Sequence, residues 1–126
     1  MPALASFARI HVDDLDRALP TFVDLTGEQP ASRFAFRDLE VARIGGYLLV
    51  AGTAEALAPV RDTQATTVVT SLAEVLDLTA RHGGQVLDGP NEVPTGRNLT
   101  VRHPGGAVIE YVEFDAATRA RFAAGA

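Results

Sequence analysis

Apolar residues recur along this chain with two periods, and the switches between them divide it into elements. From Ser6 to Val12 the pattern alternates, with Ala8, Ile10 and Val12 on one face and Phe7, Arg9 and His11 on the other, as a strand with one core face requires. Asp13-Asp14 then caps a stretch in which Leu15, Leu19, Phe22 and Val23 recur at helical spacing, with Gly27 as the stop. Pro20 lies too far in for a first-turn proline and predicts a kink or irregular turn. Three short strands are expected at Ser32–Arg37, Leu39–Ile44 and Tyr47–Ala51, turning at Asp38 and at Gly45-Gly46.

After a loop through Pro59 the order repeats: a strand over Gln64–Val69, a helix over Ser71–His82 and further strands. Ser71-Leu72-Ala73-Glu74 fits a capping box and Gly83 a left-handed stop. The last hairpin, Arg97 to Glu113, folds about Pro104-Gly105-Gly106. Val12-Asp13-Asp14-Leu15 and Val69-Thr70-Ser71-Leu72 stand 57 residues apart, and Gly45-Gly46 answers Gly105-Gly106 at a spacing of 60. The expectation is an α+β fold: one domain over 1–126, made of two βαβββ halves at about 5–52 and 63–114 with a short C-terminal tail. A half this short cannot bury its own sheet face, so the halves must pair, within a chain or between chains.

Composition narrows the chemistry. With 126 residues, one domain is the prior. The absence of Cys removes disulfides, thiolate nucleophiles and sulfur metal sites together. A net charge of -5 without a basic cluster argues against nucleic acid or an anionic membrane as partner and favours small molecules. No segment reaches the ~20 apolar residues of a membrane span, and the N-terminus lacks a signal pattern, so a cytoplasmic protein is expected.

Glu110 is an acid inside an apolar strand, and a carboxylate there must be paired, hydrogen-bonded or wet. Around it the faces split. Arg9, His11, Gln64, Thr66, Asn98, Thr100 and Glu110 fall on one side, whereas the opposite positions, such as Ile10, Val69, Leu99 and Ile109, are apolar. A static network in which Arg9 pairs with Glu110, and a ligand-filled concavity, both satisfy this split. His82 and His103 fall at a helix end and a turn and are expected to be solvated.

The runs Val12 to Ala18 through Gly27, and Arg97 through His103-Pro104-Gly105-Gly106 to Tyr111, resemble the vicinal oxygen chelate superfamily, which includes glyoxalase I, bleomycin-binding resistance proteins and extradiol dioxygenases. The resemblance implies curved mixed sheets around a ligand cavity, helices on the outer face and a homodimer. It places the metal ligands of the family's enzymes at Phe7, Val50, Gln64 and Glu110. Only Glu110 is a good ligand, so no metal or other cofactor is expected. Two functions follow. One is a metal-independent binding protein for an organic metabolite or antibiotic, with Arg9 and Glu110 setting polarity and Phe7 offering a stacking surface. The other is a metal-free isomerase, lyase or cyclase, with catalytic residues His11 or Glu110 moving a proton and Arg9 holding an oxyanion.

Overall fold

In the computed structural model, which describes residues 1–125, strand β1 runs Ala3–Val12 and leads into helix α1, Leu15–Thr26. The Asp14 carboxylate accepts the Asp16 amide at 2.9 Å and so satisfies one orphan donor of the first turn. Gly27, at φ 71°, closes the helix by donating to the Val23 carbonyl. In place of the expected irregular turn, α1 continues through Pro20. Pro20 is exposed, and the stripe around Leu15 and Leu19 buries the helix strongly enough to tolerate one lost bond. Strands β2 (Ser32–Phe36), β3 (Leu39–Ile44) and β4 (Tyr47–Ala51) follow. The stretch through Pro59 is a short helix, α2 (Ala54–Leu57), and a 3-10 turn over Ala58–Val60, started by Thr53, whose hydroxyl accepts the Ala56 amide.

The second series is β5 (Ala65–Val69), α3 (Leu72–His82), β6 (Gln85–Val93), β7 (Gly96–Arg102) and β8 (Val108–Phe114). Beyond it, where a short tail was expected, stands α4 (Ala116–Gly125), begun by Asp115, whose carboxylate accepts the Thr118 amide at 2.8 Å. The fold is α+β, as expected from the two βαβββ series. No helix among the described residues is long and apolar enough to cross a membrane.

The chain clusters into two units, Phe7–Asp62 and a second that joins Met1–Ser6 to the chain from Thr63 onward, so the division falls within β1. In the first unit the strand order is β2-β3-β4-β1, with β1 and β4 parallel and the other pairs antiparallel. Helix α1 packs Leu15 and Leu19 against Ala42, Ile44, Leu49 and Ala51. In the second unit the order is β5-β8-β7-β6, with β5 and β8 parallel. There α3 packs Leu72 and Val75 against Val69, Leu99 and Val101. Glu113 accepts the Leu72 amide at 2.8 Å, tying the start of α3 to β8, while Ser71 caps it through the Glu74 amide. Glu74 takes the Thr70 hydroxyl at 3.4 Å. The N-terminal segment is held in this unit by the Thr70 amide donating to the Pro2 carbonyl and by a 2.8 Å bond between the Ser6 and Thr67 hydroxyls.

Register revises one equivalence. With the caps Asp14 and Ser71 aligned, Arg9 answers to Thr66; Arg9 pairs with Leu48, and Thr66 pairs with Glu110. The counterpart of Glu110 is therefore Leu48 rather than Val50. Ile44 and Tyr47 pair directly across Gly45-Gly46, whereas between β7 and β8 the chain leaves the ladder at Arg102 and rejoins it at Val108, so the two glycine pairs are not equivalent.

Gly96 gives a test of this packing. It sits at φ 149°, and a Cβ there would overlap the Glu113 carbonyl oxygen and stand 2.7 Å from the Asp115 amide nitrogen, both backbone atoms that cannot swing aside. Gly96→Ala is expected to cost ~3 kcal/mol or more in urea unfolding. Gly27→Ala, with open space around its Cβ, bears only the left-handed backbone penalty of about 1 kcal/mol. Equal losses for the two variants would contradict the close approach.

Candidate functional site

Each unit turns one sheet face to its helix, so the residues of the opposite face are best taken unit by unit. In the second unit, the Glu110 carboxylate on β8 lies between Thr66 on β5 and Thr100 on β7, both its direct cross-strand partners. The buried Thr66 hydroxyl donates to Glu110 Oε1 at 2.8 Å, and Asn98 Nδ2 donates to Oε2 at 2.8 Å. That second bond fixes the amide orientation, since only the NH2 group can donate to a carboxylate. Asn98 Oδ1 is then left buried with no hydrogen-bond partner. The sequence-selected residues Thr66, Asn98, Thr100 and Glu110 thus form one cluster.

Gln64 does not join it. It is exposed and lies just ahead of β5, where its backbone amide donates to the Val108 carbonyl and its Oε1 accepts the Val108 amide at 3.1 Å. Its side chain closes the β5–β8 ladder. His103 also departs from expectation. It is half-buried, and its Nε2 lies 2.6 Å from the Tyr111 hydroxyl, while burial raises the Tyr111 pKa. His82 is exposed at the end of α3, as expected.

In the first unit, Phe7, Arg9 and His11 alternate along β1 opposite the α1 core. Phe7 is 7 % exposed, and the Arg43 guanidinium from β3 lies over its ring at 5.4 Å from the centroid. Burial draws the Arg43 pKa below its ordinary value. Sequence reasoning missed Arg43, although the Gly45-Gly46 turn alone pairs it with Leu48 and sets it on the Arg9 face. Burial, then the charges of Arg9 and Arg61, hold the His11 pKa below 6.5, partly opposed by a hydrogen bond to the Val60 backbone. His11 Nε2 is buried with no hydrogen-bond partner, so the Val60 contact belongs to Nδ1. The ring is thereby a neutral imidazole that donates at Nδ1 and presents an acceptor at Nε2.

The residues present do not fit a catalytic metal. Phe7 and Leu48 have no donor atom, the Gln64 oxygen is taken by Val108, and both Glu110 oxygens accept hydrogen bonds. Among the described residues no three His, Cys, Asp or Glu side chains gather to hold an ion. A catalytic divalent site wants about three strong ligands and an open position.

No protein-family model and no curated protein sequence matches the chain. Solved structures do. An uncharacterized protein from Methanosarcina mazei is 42% identical, with a TM-score of 0.84 over 91% of this chain and 95% of that one. Methylmalonyl-CoA epimerase from Mycobacterium tuberculosis is 20% identical, with a TM-score of 0.74 over 94% of this chain and 93% of that one. Streptomyces coelicolor methylmalonyl-CoA epimerase, solved in complex with 2-nitronate-propionyl-CoA, is 17% identical, with a TM-score of 0.71 over 92% of this chain and all of that one. The two epimerases share the fold.

The neutral state of His11 carries a pH signature. Because its folded pKa lies below the unfolded value, the unfolded chain binds the proton more readily, so stability is full above pH 6.5 and declines as pH falls through that value. The loss levels off below the folded pKa. Melting temperatures measured from pH 7.5 down to 5 are expected to fall more steeply for wild type than for His11→Asn, whose amide can still donate to the Val60 carbonyl. Parallel curves would show that His11 is not held neutral.

Proposed function

We propose that this chain, whose fold is that of the vicinal oxygen chelate superfamily, is a metal-independent small-molecule-binding protein of the glyoxalase and bleomycin-resistance type, taking an organic metabolite or antibiotic at the face that carries Thr66, Asn98 and Glu110. The observation that carries this proposal is Asn98 Oδ1, an amide oxygen buried without a partner beside a carboxylate whose two oxygens are both hydrogen-bonded. Leaving such an acceptor unmet costs ~1 to 3 kcal/mol, which a ligand donor group would recover. An amine, amide or hydroxyl on the ligand supplies that donor.

A second function is favoured by His11. A neutral imidazole with its Nε2 acceptor unmet is suited to removing a proton near neutral pH, so an isomerase or lyase with His11 as base, Arg9 at a developing oxyanion and Glu110 as a further proton carrier is the alternative. Methylmalonyl-CoA epimerases stand among the fold neighbours, but at 17–20% identity that likeness carries the fold alone.

The test is a thermal-shift screen of amines, polyols, amides and acyl-CoA thioesters, propionyl-CoA included. At least one class is expected to raise the melting temperature by linkage, equally with and without EDTA, and to lose tenfold or more in affinity in Asn98→Leu. Binding abolished by EDTA and restored by a divalent ion would overturn metal independence. Unchanged affinity in Asn98→Leu would remove the site. If catalysis is the function, His11→Asn keeps ligand affinity and loses turnover.

The proposal includes assembly: a cytoplasmic homodimer, supported by the cysteine-free composition and by the outer edges of β2 and β6, each paired on one side only within its unit. Sedimentation at micromolar concentration is expected to return twice the mass of one chain. A single-chain mass would count against the dimer.

A further inference from the structure

In the first unit, Val50 on β4 pairs with His11 on β1 and with Val41 on β3, so the three form one row on the sheet face opposite α1. Both valines are buried, although α1 lies on the other side. The chain between β4 and Asp62 turns back over this row, and two contacts fix its course. A Cβ at Gly52, which alternation sets on the Val50 face, would stand 2.9 Å from Leu39 Cδ2 and 3.3 Å from the Ala56 Cβ of α2. At the other end the Val60 carbonyl accepts a hydrogen bond from His11 Nδ1. Leu57, between these two points, is 3 % exposed. We propose that α2 and the 3-10 turn over Ala58–Val60 form a pH-sensitive strap, latched over the His11–Val50–Val41 row by His11 and released when that imidazole takes up a proton. The inference is independent of the ligand-binding function above.

A four-residue helix and one 3-10 turn are too short to hold themselves in water, so the strap is ordered by what it touches. Its anchors are few: the buried Leu57, the Thr53 cap, whose hydroxyl accepts the Ala56 amide at 3.1 Å and whose carbonyl accepts the Leu57 amide at 2.9 Å, and the bond to His11. Segments with so few anchors open at a fraction of the free energy of global unfolding. The latch itself is set against charge. Burial opposes an imidazolium first, then Arg9 two residues back on β1, then Arg61 directly after the strap, and only the Val60 bond favours it. β4, which pairs with β1 at this point, carries no charged side chain. Opening returns the ring to water and takes Arg61 away with the strap. The open form therefore binds the proton more readily than the closed one, and its population rises as pH falls through 6.5. His82 and His103 belong to the other unit, so His11 is the one histidine of this unit that titrates.

The experiment is hydrogen exchange of the full chain, read by mass spectrometry at pH 7.5 and at pH 5.5 and corrected for the intrinsic rate at each. At pH 7.5 the amides of residues 54–60 are expected to be about tenfold or more less protected than those of β3 and β4, the mark of an opening that leaves the sheet folded. At pH 5.5 the protection of residues 54–60 should fall by a further factor of about three or more. In His11→Asn, whose amide still donates to the Val60 carbonyl and does not titrate, that acid loss is expected to vanish. Arg61→Gln, at an exposed position, should make it smaller than in wild type. If circular dichroism shows His11→Asn unfolded, Arg61→Gln decides: a smaller acid loss supports the latch, and an undiminished one overturns it. Strap amides as well protected as those of β3 and β4 would mean that the segment opens only with the whole unit, and this overturns the proposal. Protection of the strap that is indifferent to acid, or an acid loss retained in full by His11→Asn, overturns it likewise.

Discussion

One helix covers each four-stranded sheet, and that constraint decides the chemistry of everything opposite it. In each series the first strand pairs in parallel with the last, β1 with β4 and β5 with β8, and the antiparallel strands between them run outward to the sheet edge. Once the parallel register is set, alternation leaves no freedom: Ile10, Leu49 and Ala42 go under α1, and Arg9, Leu48 and Arg43 go to the other side. A one-residue slip would carry Leu49, now fully buried, away from α1, and a slip of β1 or β3 would bring Arg9 or Arg43 under the helix. The polar face is thus held in place by the energetics of the apolar one.

The two cores solve the same problem with different residues. Leu15, Leu19, Ala42, Ile44 and Leu49 in one unit have counterparts in Leu72, Leu76, Leu99, Val101 and Tyr111 in the other. Small differences there are compensated locally. Tyr111 is larger than Leu49, reaches past the core and ends on His103 in the longer turn, which places that histidine under partial burial. Glu113 on the same face as Tyr111 supplies an acceptor for the Leu72 amide and also meets Arg97 at 3.4 Å, so strand and helix start are joined by one carboxylate.

Much of this was legible in the sequence because it rests on local signals. The caps Asp14 and Ser71, the stops Gly27 and Gly83, and the alternation of β1 and β8 gave both βαβββ series and the cluster of Thr66, Asn98, Thr100 and Glu110. What failed depended on register or on weak patterns. The two glycine pairs looked equivalent, yet they sit in turns of different length, which moved the counterpart of Glu110 from Val50 to Leu48. Gln64 lies one residue outside β5, so extrapolated alternation misassigned it. Helix α4 is Ala- and Arg-rich without an apolar stripe; its Phe122 meets Phe114 with ring centroids 5.4 Å apart, a contact no period announces. Arg43 was missed because a charged residue in a short strand reads as solvated until its partners are known.

Leu48 and Glu110 hold equivalent places in the two units, and they differ in what each does to its neighbours. A carboxylate offers about four lone-pair directions, and Glu110 gives two of them to Thr66 and Asn98. Those two donors, one from each neighbouring strand, fix the carboxylate on its sheet face. At the equivalent position Leu48 has nothing to ligate with and stands between Arg9 and Arg43 in its row. An acid in place of Leu48 alone would not complete a metal site, because Phe7 has no donor atom and the cross-strand partners of that position are two arginines. Whole cross-strand rows, rather than single positions, therefore set the chemistry of each sheet face: an acid between two threonines in one unit and a leucine between two arginines in the other.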